Sequence, residues 1–176
     1  MRQLLLLRHA KSSWDDPGLA DRDRPLSGRG RRSAAAMRQA MRELGLTPDL
    51  VLVSTATRTL QTLDLLEPWD DAPLVEPMDS LYLASAPQLL AAIQSVPETV
   101  RAVLIIGHNP GMHDLALSLS APQPTDAGDK AGEQLAAGFP TAALAEFTVS
   151  SPWANLGPGG ARLVRFLTPK ALEAKH

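Results

Sequence analysis

Three short, unbroken aliphatic runs constrain this chain more than any other feature. They are Leu4 to Leu7, Leu50 to Val53 within the strand-like segment Asp49 to Val53, and Val103 to Ile106. Each has the length of a strand and no alternation of polar with apolar positions. Runs of that kind belong to strands covered on both faces, as in a parallel sheet lying between two layers of helix. The intervening sequence agrees. Ser27 can cap a helix that runs to about Leu44 and stops at Gly45. Ala56 to Leu66 (ended by Pro68), Ala86 to Gln94 and Pro110 to Leu119 read as further helices. Residues 74–85 are mixed, with room for a short strand. Thr141 to Val149 and Arg162 to Leu167 are β-like, and the stretch between them, holding Trp153 and Pro158-Gly159-Gly160, reads as turns rather than helix. That end of the sheet is therefore expected to be antiparallel. The expected fold is a three-layer α/β/α sandwich around a mainly parallel sheet with an antiparallel edge.

Composition narrows the class. With 176 residues and 44% hydrophobic content, the chain can bury one real core, so 1–176 is expected to form a single domain. Ser120 to Pro140 turns to Pro, Gly, Asp and Ala, and 120–140 is expected to be a flexible loop or flap. No apolar run approaches the ~20 residues that span a bilayer, and the start, Met1 to Arg8, is too short in apolar residues for a secretory leader. The absence of cysteine excludes disulfides, thiolate zinc sites, iron–sulfur clusters and cysteine nucleophiles. A soluble, cytoplasmic, monomeric protein with no membrane partner is the expectation.

The net charge of −2 conceals an asymmetry. Residues 1–60 hold 11 of the 17 Lys and Arg but 6 of the 19 Asp and Glu, which leaves them at +5 and the remainder at −7. A cationic first third can face an anionic ligand, although arginines on a solvated helix would account for much of it. Nucleic acid is not the expected partner: base-reading helices and aromatic sheet motifs are missing, and aromatics make up 4% of the chain.

Ligands of open α/β sheets bind beyond the carboxyl ends of the strands, so the residues just past each aliphatic run are informative. Arg8 and His9 come after the first, Ser54-Thr55-Ala56-Thr57-Arg58-Thr59 after the second, and Gly107-His108-Asn109-Pro110-Gly111 after the third. Two arginines and two histidines thus reach one rim. Arginine forks match phosphate oxygens bidentately, and Asn109 can cap the helix that Pro110 begins, aiming backbone N–H groups at the same place. A neutral imidazole is a competent nucleophile toward phosphorus. With His9 attacking, Arg8, Arg58 and His108 would neutralise the oxygens of the transferring group. Activity should then fall at low pH as His9 takes up a proton.

Taken singly, each residue has a plainer explanation: a strand-end histidine that serves structure, a solvated arginine, a turn at Asn-Pro-Gly. Two other classes compete. A metal hydrolase would use His9, His108, His113 and Asp114, but His108 and His113 are five apart, off the i,i+4 spacing of paired helical ligands. A phosphate-binding module would keep the pocket without turnover. Lys11, Ser12 and Ser13, in the loop after His9, are candidates to touch substrate, Ser12 foremost. His113 reads as structural or at the rim, and Asp114 as exposed.

Leu-Leu-Leu-Arg8-His9-Ala10-Lys11-Ser12, followed by Arg24-Pro25-Leu26-Ser27 and Gly30, resembles the opening of the histidine phosphatase superfamily, whose fold is named for phosphoglycerate mutase. Ser54 through Arg58-Thr59-Leu60-Gln61-Thr62 is similar to its second signature, and Gly107-His108-Asn109-Pro110 to its third. The Arg-His-Ala-Lys-Ser form and the Phe139-Pro140-Thr141-Ala142 segment are most similar to the small phosphohistidine phosphatase branch. The resemblance implies a phosphoryl group carried on His9, a pocket of Arg8, Arg58 and His108, no cofactor and no metal, and as partner a phosphorylated protein or small phosphorylated molecule. Ala10 stands where larger members have Gly, and their proton-donating Glu has no clear counterpart. Asp79 is the nearest candidate donor, and it equally reads as a turn residue after Pro77. A missing donor favours leaving groups that need no help, such as imidazole, whose conjugate acid has a pKa of ~6.5.

Overall fold

The alternation hidden in the aliphatic runs emerges once they become strands. The computed structural model describes residues 1–120 and 129–174. Its sheet has strands β1 (Arg2–Arg8), β2 (Leu50–Ser54), β3 (Leu74–Met78), β4 (Ala102–Gly107), β5 (Leu144–Val149) and β6 (Ala161–Leu167) in the order β3-β2-β4-β1-β5-β6. β1, β2, β3 and β4 run parallel, and β5 and β6 add the antiparallel edge. The helices are α1 (Gly28–Glu43), α2 (Thr57–Leu66), α3 (Ala86–Gln94), α4 (Gly111–Ser120), α5 (Lys130–Ala137) and α6 (Pro169–Glu173). No helix among the described residues is long and apolar enough to cross a membrane.

Successive side chains of the central strands go to opposite layers. Leu4, Leu6, Leu52, Val103 and Ile105 pack with Leu89 and Ile93 of α3, Leu115 and Leu119 of α4, and Leu135 of α5. Leu5, Leu7, Val51, Val53, Leu104 and Ile106 pack with Met37 and Met41 of α1 and Leu63 and Leu66 of α2. All four leucines of β1 are fully buried. Burying one such side chain stabilises by about 1.5–3 kcal/mol, so the strand that delivers Arg8 and His9 is anchored from both faces. β3 is an exposed edge in which Glu76 and Pro77 interrupt any aliphatic pattern, hence the mixed reading of residues 74–85.

The expected flap at 120–140 requires correction. Lys130–Ala137 is a helix, because Asp129 accepts a hydrogen bond from the Gly132 N–H at 3.1 Å as its cap and Leu135 is buried in the core. Ser120 ends α4, and residues 121–128 lie outside the described residues. The β-like segment Thr141 to Val149 also starts late. Ala142 has φ 60, and its N–H turns back to the carbonyls of Arg8 and His9 at 3.1 and 3.0 Å before β5 begins.

The loop after His9 is zipped to the start of α1. Ser12 forms an antiparallel bridge with Leu26, Ser13 N–H donates to the Pro25 carbonyl at 2.8 Å, and both the N–H and the hydroxyl of Ser27 donate to the Lys11 carbonyl, at 2.9 and 3.1 Å. Gly30 makes this approach possible: a Cβ there would collide with the Lys11 carbonyl oxygen. Gly30→Ala should therefore force the loop off the helix and lower the urea midpoint, a loss on the order of 1–3 kcal/mol. Gly28→Ala meets only the flexible end of Arg32 at 3.6 Å. It should be neutral or stabilising by up to ~1 kcal/mol. Equal midpoints for the two variants would contradict the close-packing account.

Candidate active site

Arg8 pairs in register with Gly107 at the carboxyl ends of β1 and β4, and β2 ends beside them at Ser54. The three strand ends hand the chain directly to His9, Arg58 and His108. These residues and Arg8 line one pocket of about 370 Å³, together with Ser12 and Asn109. The backbone around the pocket is pinned from several sides. His9 N–H donates to the Gly107 carbonyl at 3.1 Å, Ala10 N–H to the Thr62 hydroxyl at 3.0 Å, and that hydroxyl in turn to the Arg58 carbonyl at 2.7 Å.

His9 is 7% exposed, and its Nδ1 lies 2.7 Å from the carbonyl oxygen of Ala10. A carbonyl oxygen only accepts, so Nδ1 carries the hydrogen and Nε2 presents a lone pair. Burial pushes the His9 pKa from 6.5 down to about 4, with Arg58, Arg8 and Arg24 adding to the fall and the Ala10 hydrogen bond opposing it. The ring is neutral throughout the physiological range. The Ala10 carbonyl, not its side chain, makes this bond.

His108 stands with its ring centroid 5.2 Å from that of His9. Its Nε2 is 2.8 Å from the Ser54 hydroxyl and its Nδ1 3.5 Å from an Arg58 nitrogen. Burial, then the neighbouring His9 and Arg58, lower its pKa to about 3. The guanidinium can only donate, so Nδ1 is the unprotonated nitrogen and Nε2–H points to Ser54. A dianion entering the pocket would cancel the cationic field and draw a proton onto His108.

The arginines are fixed by groups that sequence reasoning missed. Arg58 donates to Asp21 twice, to the carbonyl at 2.8 Å and to Oδ2 at 3.0 Å. Arg24, buried in the same pocket, donates to Asp21 Oδ1 at 3.0 Å, to the Ser13 carbonyl at 3.1 Å and to the Ser12 hydroxyl. Tyr82 donates its hydroxyl to Asp21 and sets its ring edge-on to His108 at 5.4 Å. That hydrogen bond, followed by those from Arg58 and Arg24, holds the Asp21 carboxyl down to about 2, against a smaller opposing effect of burial. Arg8 donates to the Phe139 carbonyl at 3.0 Å, and its Nε is buried without a hydrogen-bond partner. Trp14 stacks on Arg24, with the guanidinium carbon 3.2 Å from the ring centroid. A signal for Tyr82 existed: it is the sole tyrosine of the chain and comes after the end of β3, so the strand-end rule reaches it once β3 is recognised. Asp21 had none beyond its place in the charged Asp21-Arg22-Asp23-Arg24 run.

Three candidates fall outside the pocket. Asp79 is exposed, with its carboxylate held by the Thr55 hydroxyl at 2.6 Å and by Arg22, and these contacts lower its pKa. It is therefore poorly placed and poorly protonated for donating to a leaving group. His113 donates Nε2–H to the Leu135 carbonyl at 2.6 Å and so ties α4 to α5, while Asp114 is exposed on α4. The metal set of His9, His108, His113 and Asp114 thus does not assemble, and no group of three or more His, Asp or Glu among the described residues is placed to hold a metal. Asn109 caps α4 through Oδ1, which accepts from His113 N–H at 3.3 Å, while its amide donates to the Phe139 carbonyl at 2.9 Å.

Comparison with known proteins agrees with this geometry. The family model of the histidine phosphatase superfamily (branch 1) matches residues 4–77. An uncharacterized protein of Mycobacterium tuberculosis is 38% identical over 93% of this chain and 100% of its own length. A solved structure named for the phosphohistidine phosphatase SixA, from Nakamurella multipartitia, is 31% identical and superposes with a TM-score of 0.82 over 96% of both chains. A second structure so named, from Agrobacterium tumefaciens, is 30% identical with a TM-score of 0.80, covering 96% of this chain and 98% of that one. The chain belongs to the histidine phosphatase superfamily, and it is a phosphatase of the phosphoglycerate mutase-like fold.

Proposed function

We propose that this protein is a metal-independent phosphatase that works through a phosphorylated His9 and acts on phosphohistidine in proteins, or on other small phosphorylated compounds with good leaving groups. The observation that carries the reading is the Nδ1–H bond of His9 to the Ala10 carbonyl, which leaves Nε2 as a neutral nucleophile among Arg8, Arg24 and Arg58.

Nε2 attacks phosphorus, and the bond from phosphorus to the leaving group breaks. Charge on the equatorial oxygens meets Arg8, Arg58 and His108, which takes up a proton from solvent as the dianion binds. Asp21 takes no part in the bond changes; it keeps Arg58 and Arg24 from separating under mutual repulsion. Phosphorylation at Nε2 with Nδ1 still protonated yields a cationic ring, which is a good leaving group when water attacks the phosphorus. Water supplies the oxygen of inorganic phosphate, and neutral His9 returns.

The leaving group must largely look after itself. Among the described residues no Asp or Glu lines the pocket, Asp79 is tied to Thr55 and Arg22, and Asp21 is held ionised. An alkoxide would leave unprotonated, whereas imidazole, with a conjugate-acid pKa of ~6.5, departs readily. That favours P–N, aryl and acyl phosphates over alkyl esters and disfavours mutase chemistry.

Hydrolysis of p-nitrophenyl phosphate in EDTA is the first test, since an aryl leaving group makes few demands on a donor. Wild type should turn over, and His9→Ala should lose roughly 10³-fold or more in kcat. Activity that vanishes with chelator and returns with zinc or manganese would contradict the metal-free reading. Phosphate compounds bound without phosphate release would make the protein a binding module.

The pH profile is set by burial. With the His9 pKa lowered to about 4, the nucleophile stays in its base form down to about that pH, well below the range of an ordinary histidine. In kcat/KM, the His9 limb should appear near pH 4, with no loss attributable to it between pH 5 and 8. The sign is fixed: protonation on lowering the pH removes the lone pair and the rate falls. An acid limb centred near 6.5 that is unchanged by substrate identity would contradict a buried, neutral His9.

A further inference from the structure

A second cavity adjoins the phosphoryl pocket and is larger, at about 620 Å³ against 370 Å³. Lys11 and Thr141 line both, so the two spaces meet beside the loop that leaves His9. Its walls come from the starts of α1 and α6, the end of α5 and β6. Lys11, Arg29 and Lys170 bring three cations to it, Phe166 and Pro140 give it apolar surface, and among the described residues no Asp or Glu lines it. Among the described residues none of these three cations has an ion-pair partner. Lys11 and Arg29 also account for part of the +5 charge of residues 1–60, which the phosphoryl pocket uses mainly through Arg8, Arg24 and Arg58.

We propose that this groove binds an acidic peptide segment flanking the phosphorylated residue, making Arg29 and Lys170 specificity-determining residues; the proposal rests on the phosphatase reading above. Like charges gathered without counter-charges raise the local concentration of anions and repel cationic segments. A peptide suits the site better than a second phosphate of a small molecule. The groove exceeds the phosphoryl pocket in volume, mixes apolar with cationic walls, and shares Lys11 and Thr141 with the first pocket.

Two synthetic phosphohistidine peptides, identical except for Glu or Lys flanks, separate this proposal from the function it rests on. p-Nitrophenyl phosphate, which has no extension to reach the groove, reports the chemistry alone. At low salt the Glu-flanked peptide should have a KM about tenfold below that of the Lys-flanked one with similar kcat, a gap that narrows as ionic strength rises. In the Arg29→Glu/Lys170→Glu double variant the preference should disappear or invert, while kcat/KM for p-nitrophenyl phosphate moves by less than about twofold, since neither residue lines the phosphoryl pocket.

Equal KM values for the two peptides in wild type would overturn the proposal. So would a double variant that loses affinity for a small bisphosphate but keeps its peptide preference. If no substrate is turned over, the phosphatase reading fails, and the groove is judged by binding of both peptides to His9→Ala. Tighter binding of the Glu-flanked peptide upholds the groove, and equal or absent binding overturns it.

Discussion

The hydrogen bond from His9 Nδ1 to the carbonyl of its own neighbour, Ala10, sets the chemistry of the site, and much of the surrounding structure holds it in place. One hydrogen bond fixes the tautomer, but only while the backbone of residues 8–10 stays where it is. Gly107, Thr62 and Ala142 each bond to that backbone, from β4, α2 and the approach to β5 respectively. Behind it, β1 is clamped between two apolar layers by four fully buried leucines. The proposed nucleophile thus follows a strand covered on both faces, and this is how a small protein reaches pre-organisation.

The second constraint is electrostatic. Arg8, Arg24 and Arg58 converge on a pocket that no Asp or Glu among the described residues lines, an arrangement that repels itself. Asp21 relieves this from outside, bonding to two of the three without entering the space that a phosphoryl group would occupy. Burial first, and then the field that remains, keeps both histidines neutral, and a dianion would cancel the field.

Much of this was legible in the sequence because it depended on strands. Unbroken aliphatic runs located β1, β2 and β4, and the residues just past them supplied Arg8, His9, Arg58 and His108. Asp21 and Tyr82 escaped because neither comes after such a run. Asp21 lies in a long polar loop whose course is set by the Ser12–Leu26 bridge and the Gly30 contact, both of them long-range. Tyr82 comes after β3, whose exposed edge position removes the need for apolar residues and with it the signal. α5 was hidden for a different reason: its neighbourhood is rich in Pro, Gly and Asp, and its apolar face is one short turn, Ala131 and Leu135, behind an Asp129 cap.

The central claim is that the phosphoryl group passes through His9, and direct observation of that intermediate tests it best. Enzyme mixed with p-nitrophenyl phosphate and quenched in alkali, where phosphohistidine survives, can be digested and mapped by mass spectrometry. One phosphoryl group should appear on the peptide carrying His9, formed and lost at rates compatible with turnover and absent from His9→Ala. Steady turnover with His9 unmodified, or with the phosphoryl group on Ser12 or His108 instead, would contradict the account.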